Sequence, residues 1–341
     1  MSPDKASSDD LLSQQLGLES LRSFSLREFL SGTFASYPWS EYEQRLSAGA
    51  IDTTPPLNQD MAQFPKPWLF VRILAGTTLA YLVSLLLLSV YKMGAIIVLP
   101  ALIFYGCFAI PFSVLTFFFE MNTPRNVSMI FLMRMLVVGG AISFLVTFIL
   151  FDYFPLQKLY GAAAAGFVEE MAKVLVVIFF ARQFIGSRHP FTLNGILYGA
   201  TVGTGFAAFE SAGYALHVGL IENSFSSLNH VIVLRGVLAP FMHIPWTAIG
   251  GGALWLAYRK CQTIPQAVFS IKFASLFVLP IALHFCWNYD FHEYLGLPEL
   301  IDNLKIPVLG IISWLIVMRL VATGLKEISQ ETGNIRATHT C

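Results

Sequence analysis

Residues 167–177 read FVEEMAKVLVV, which sets Glu169, Glu170 and Lys173 inside a run otherwise apolar enough for a bilayer. Each such charge costs roughly 2.5–3.5 kcal/mol at membrane depth even on lenient insertion scales. On a helix Lys173 is four residues from Glu169 and three from Glu170, so its ammonium can reach either carboxylate. The carboxylates themselves diverge by about 100°, so one can form an ion pair while the other faces a cavity. Further along lie Glu210 in GTGFAAFESAGY, His243 in APFMHIPWT, and His284 with Asn288, one helical turn apart, in PIALHFCWNY. Phe206, a turn before Glu210, is expected to help keep water from that carboxylate. Carboxylates, imidazoles and an amide together supply what peptide hydrolysis needs: an activated water, a proton donor to the leaving amine and an oxyanion partner. The same residue types also make proton relays in transporters.

These groups have to be held by membrane helices. The chain has 341 residues, 55% hydrophobic and only 12% charged, the composition of a polytopic membrane protein. Its 21 basic and 21 acidic residues balance, and no basic run exists that would bind nucleic acid. Cys107, Cys261, Cys286 and Cys341 have no ligand spacing, so neither a disulfide frame nor a zinc cluster is expected. A bilayer core of ~30 Å needs about 20 apolar residues per helix. Such runs fall near 69–91, 95–119, 129–152, 160–184, 192–219, 231–257, 271–290 and 306–324. The expected fold is therefore an all-α bundle of about eight transmembrane helices.

Three regions follow: 1–67, a small helical cytosolic segment with a Pro-rich linker; 68–324, the bundle; and 325–341, a cytosolic tail. Ser25/Glu28 and Ser40/Glu43 each have capping-box spacing. The polar, acidic amino terminus does not read as a signal peptide. Loops carrying Lys66, Arg125, Arg182, Arg188, Arg259, Lys260, Lys326 and Arg336 share one side. Lys92, Lys158, Arg235 and Lys305 fall on the other, with several acidic residues. The basic excess predicts that both termini are cytoplasmic. Gly195, Gly199 and Gly203 at four-residue spacing predict close helix packing inside the bundle.

Counting 1.5 Å per residue from the outer ends puts Glu169 and Glu170 about 14–15 Å deep, Glu210 about 14 Å, His284 about 9 Å and His243 about 18 Å. One polar layer in the outer half of the bilayer accounts for all of them.

EExxK, then FxxxE, then a membrane histidine, then HxxxN on successive helices resembles the PrsW family of intramembrane proteases, over roughly residues 68–324. That family is distantly similar to the CAAX-prenyl protease family and to the gamma-secretase scaffold subunit, which implies a related helical bundle. The resemblance implies an intramembrane endopeptidase of a bacterial inner or plasma membrane. Its substrates would be membrane-anchored proteins, with site-1 cleavage of anti-sigma factors as one such role. The expected roles are Glu169 or Glu170 as general base, Lys173 as its charge partner and Glu210 as a second carboxylate. His243, His284 and Asn288 would act in metal binding or oxyanion stabilisation. Glu210, His243 and His284 could hold a divalent ion such as zinc, or the set could act without metal; there is no HExxH, and the spacing leaves both open. Ser211 has no G-x-S-x-G setting. A proton-coupled transporter or channel, or a catalytically silent scaffold, are the other readings of the same residues.

Overall fold

The computed structural model describes residues 25–33, 35–50, 52–91 and 97–339. Residues 1–24, Lys92 and Cys341, together with the side chain of Arg336, lie outside what it describes. Among the described residues every named element is helical, as expected of chains that must satisfy their backbone groups internally in lipid.

An outer helix, α1 (Trp39–Ser47), precedes the bundle. The bundle consists of α2 (Leu69–Tyr91), α3 (Leu99–Met121), α4 (Met129–Tyr153, with a π turn at Met135–Gly139), α5 (Ala165–Ala181), α6 (Thr192–Ile221), α7 (Phe225–Leu238), α8 (His243–Cys261), α9 (Ile271–Asn288) and α10 (Glu299–His339). Six segments are long and apolar enough to cross a membrane, with α7 and α8 together forming one of them. The two remaining apolar runs, α5 and α6, are helical too, but α5 has three charges in 17 residues and α6 is rich in small and polar residues. Both lie mostly inside the bundle, with α6 packed against α3, α4, α7, α8 and α10.

Two expectations need correction. Ser25 does cap its helix, accepting from the Glu28 N–H, but α1 begins at Trp39 with Pro38 before it, so Ser40 caps nothing. The run 231–257 is not one helix. Pro240 lies in a tight turn, Ala239–Phe241, and Met242 takes φ −114° and ψ −122°, so the helix stops and restarts at His243. The missing Pro N–H and its ring clash explain the break. His243 is thus the first residue of α8 rather than a point about 18 Å along a continuous span, and Arg235 sits in α7 rather than in a loop. Residues 325–339 continue α10 without interruption.

The glycine row on α6 faces α8. A Cβ on Gly203 would stand 2.7 Å from the His243 carbonyl oxygen, so the absence of a side chain sets how near His243 comes to α6. Gly166 does the same for α5, where a Cβ would lie 2.9 Å from the Ile281 carbonyl of α9. At the far end of the bundle, the loop between α5 and α6 is held by polar side chains. His189 Nε2–H donates to the Asn126 carbonyl (2.8 Å), Tyr198 bonds its Nδ1, and Trp255 Nε1 donates to its carbonyl (2.8 Å). Asn122, Asn126 and Asn194 hydrogen-bond one another beside it.

Gly203→Leu should force α6 and α8 apart and lower stability by about 1–3 kcal/mol, whereas Gly76→Leu on α2, where a Cβ meets nothing within 4 Å, should not; thermal unfolding in detergent compares them. Burial holds His189 down to about 4, below its usual value and against the pull of the Asn126 carbonyl. The unfolded chain therefore binds the proton first. The stability His189 confers is complete above about pH 6.5 and is lost as pH falls towards 4, at most about 3 kcal/mol. His189→Gln should flatten that part of the pH–stability curve, and an unchanged slope would contradict this.

Candidate active site

Four helices converge near one end of the bundle. Glu169, Glu170 and Lys173 lie on the first turns of α5, Glu210 in the second half of α6, His243 at the start of α8 and His284 one turn before the end of α9. All six side chains are buried. Predicted from spacing alone, these residues do meet.

Lys173 joins most of them. Its Nζ is 2.6 Å from Glu170 Oε1, 3.1 Å from His243 Nδ1 and 3.8 Å from Glu169 Oε2, with the Phe206 ring 4.5 Å away. Phe206 therefore packs against the ammonium and the His243 ring (5.2 Å between centroids). A protonated amine has only donors, so His243 Nδ1 accepts from Lys173, and its Nε2–H donates to Glu210 Oε2 (2.9 Å). His284 mirrors this. Its Nδ1–H donates to Glu170 Oε1 (3.0 Å), which leaves Nε2 as the lone-pair nitrogen, 3.8 Å from Glu169 Oε2.

Each imidazole is thus held by one carboxylate through one nitrogen and turns its lone-pair nitrogen towards Glu169. His243 Nδ1 is 3.7 Å from Glu169 Oε2, and that oxygen is buried without a hydrogen-bond partner. Ligand atoms of Glu169, His243 and His284 all lie within 4.8 Å of one another. An orphaned carboxylate oxygen facing two imidazoles, each oriented by another carboxylate, is a set of donors that could hold a divalent metal. The metal-capable trio contains Glu169 and not Glu210. Glu210 is engaged instead by Arg235 and by His243 Nε2.

Glu169, Glu210, His243 and His284 line a cavity of about 410 Å³. Its wall continues through Met242, Tyr214 and Ala162 to Gln157, which is exposed, and Asn288, which is partly so. Glu170 and Lys173 stand behind this wall. Asn288 makes no hydrogen bond to His284; its amide donates to the Ala162 carbonyl (3.4 Å). Two contributors escape a reading by spacing. Trp246 stacks on His284 (centroids 4.5 Å apart, 26° between planes) and donates to Ser313 Oγ (3.0 Å). Arg235 pairs with Glu210 and donates from Nε to Ser211 Oγ (3.1 Å). Trp246 stands one turn from His243 in HIPWT, a signal available in the sequence; Arg235 had none, because only the break in the helix brings it here.

Apolar helices that bury a carboxylate–imidazole cluster beside a cavity define a membrane protein with a polar site in its interior. Residues 111–321 match the PrsW family intramembrane metalloprotease profile, and the chain belongs to that family. It is accordingly an integral membrane protein and an intramembrane protease. No curated protein and no solved structure matches it.

Lys173→Met should destabilise the protein by about 3–5 kcal/mol, because Glu170 is left buried without its counter-charge. Adding Glu170→Gln should recover a large part of that loss. Unfolding in detergent of the single and double variants checks it; a double variant no more stable than Lys173→Met would contradict the pairing.

Proposed function

We propose that the protein is a metal-dependent endopeptidase that cleaves membrane-anchored proteins near the outer surface of a bacterial inner or plasma membrane. The observation that carries it is the unbonded Glu169 Oε2, faced by a lone-pair nitrogen from each of two histidines at the end of the cavity. Glu169, His243 and His284 would hold a divalent ion such as zinc. When bound, the ion would supply Lewis acidity towards a water and the scissile carbonyl.

The chain's own residues do the rest. Glu170 and Glu210 fix the ring orientation of His284 and His243, and Lys173 offsets the charge of Glu170. His243 and Arg235 both contact Glu210 Oε2, so Oε1 remains for a water. Glu210 takes the attacking water's proton there and returns it to the leaving amine. Asn288 and Gln157, at the exposed end of the cavity, receive the substrate backbone.

The arrangement of basic residues supports the orientation. Arg188, Arg259 and Arg125 belong to the end of the bundle where Asn126 holds the Arg188 carbonyl and Arg259 the Pro190 carbonyl, opposite the cavity. Positive charge marks the cytoplasmic side, so the site opens outward, with eight membrane crossings when α5 and α6 are counted and both termini inside. The amino-terminal segment, 1–67, would then be cytosolic, and so would the tail, 325–341, although Leu325 and Ile328 of α10 still pack in the core. Cleavage of a membrane-anchored anti-sigma factor fits an outward site, with the lipid bilayer as the surrounding partner.

One observation favours a second chemistry. Lys173 Nζ already occupies the His243 Nδ1 lone pair at 3.1 Å, and if it stays, Glu169 acts as a base on water without metal. The test is a membrane-anchored reporter in liposomes. Cleavage should stop on chelation, return with zinc and fall by at least ~100-fold in Glu169→Gln. Loss in Glu169→Gln with indifference to chelation would favour the metal-free chemistry, and wild-type cleavage by Glu169→Gln would overturn both.

A further inference from the structure

We propose that Arg235 is a positioning residue of this site, acting through Glu210 to hold the His243 ring in place against Glu169. The inference rests on the reading of Glu169, His243 and His284 as the reacting trio, and it assigns a function to a residue that touches none of the three.

Arg235 is clamped on one face of α6. Its guanidinium pairs with Glu210, its Nε donates to Ser211 Oγ at 3.1 Å, and it lies 4.5 Å from the centroid of the Tyr214 ring. A planar guanidinium held at three points presents its remaining donors in one direction only. A mere counter-charge would need no such clamp, and the flexible ammonium of a lysine would serve. The Glu210 oxygen that Arg235 engages is the one that receives the Nε2–H of His243. Lys173 and Glu210 hold the His243 ring between them, the ammonium donating to Nδ1 and Glu210 Oε2 accepting from Nε2–H, and Arg235 fixes the Glu210 end.

The break between α7 and α8 is what makes this geometry available. In one continuous helix Arg235 and His243 would be eight residues, about 12 Å, apart along the axis. The turn at Ala239–Met242 lets both side chains converge on the same carboxylate of α6. Arg235 thereby also ties the end of α7 to the face of α6 that carries Glu210.

Two measurements test the assignment. In the metal-free protein with ¹⁵N-labelled histidine, His243 should show a single Nε2–H tautomer, which Lys173 holds by donating to Nδ1, and Arg235→Gln should shift and broaden the Nε2–H resonance because the Glu210 carboxylate can then rotate away. In zinc titrations, Arg235→Gln should weaken binding by ~10–100-fold, but by less than about twofold when Glu210→Gln is already present, since an effect that passes through Glu210 cannot act without it. Arg235→Lys should rescue only part of the loss. If Arg235→Gln does not fold, Ser211→Ala, which removes one point of the clamp, should shift both readouts in the same direction by less. Equal losses in the two backgrounds, or an unchanged His243 Nε2–H resonance, would overturn the proposal. Failure of the wild type to bind zinc would contradict the metal reading alone, since the Nε2–H resonance is read without metal.

Discussion

Three ionisable groups on two turns of one buried helix can persist in an apolar bundle only if they are partnered, and nearly every other feature of the site follows from that partnering. Lys173 is the hub, touching Glu170 closely, Glu169 more distantly and the lone pair of His243. Glu170 is then shared with His284. Two carboxyls share one ammonium, and the Glu169 oxygen is the one left without a hydrogen-bond partner. A buried pair of this kind is poor evidence of stability for its own sake. Here the imbalance is directed at a cavity, where a cation or an attacking water can use it.

Bringing four helices to one point requires close backbones and an interruption. The small residues of α6 let α8 approach until the His243 carbonyl is against Gly203, and Gly166 admits α9 against α5. The break at Pro240 does what close packing cannot. It starts α8 at His243 and frees α7 to turn Arg235 inward. Irregular backbone at membrane depth is tolerated where it is buried in protein or lines a cavity, and Met242, at the break, does line it.

Much of this was legible before any coordinates. Intramembrane Glu, Lys and His are costly, so their presence identified Glu169, Glu170, Lys173, Glu210, His243 and His284 as a group, and the apolar runs outlined the helices that carry them. What could not be read is which group takes which partner. Spacing on one helix bounds what Lys173 can reach, but the contacts of Glu210 depend on three helices at once, and Arg235 enters only through a break that turns an expected loop residue into part of the site. Metal donors were expected at Glu210; Arg235 occupies that carboxylate, and Glu169 is left facing the histidines. Helix α5, short and charged, shows how chemistry can make a buried helix look unlike a membrane span by composition alone.

Zinc-edge X-ray absorption on the detergent-purified protein, loaded with one equivalent of zinc, tests the central claim most directly, because it reads the donors themselves. The account predicts a shell of nitrogen and oxygen at about 2.0–2.1 Å with the multiple-scattering signature of two imidazoles and no sulfur, and the loss of one imidazole in His284→Ala. A sulfur-containing shell, or a spectrum unchanged in both His284→Ala and His243→Ala, would place the ion elsewhere and contradict it.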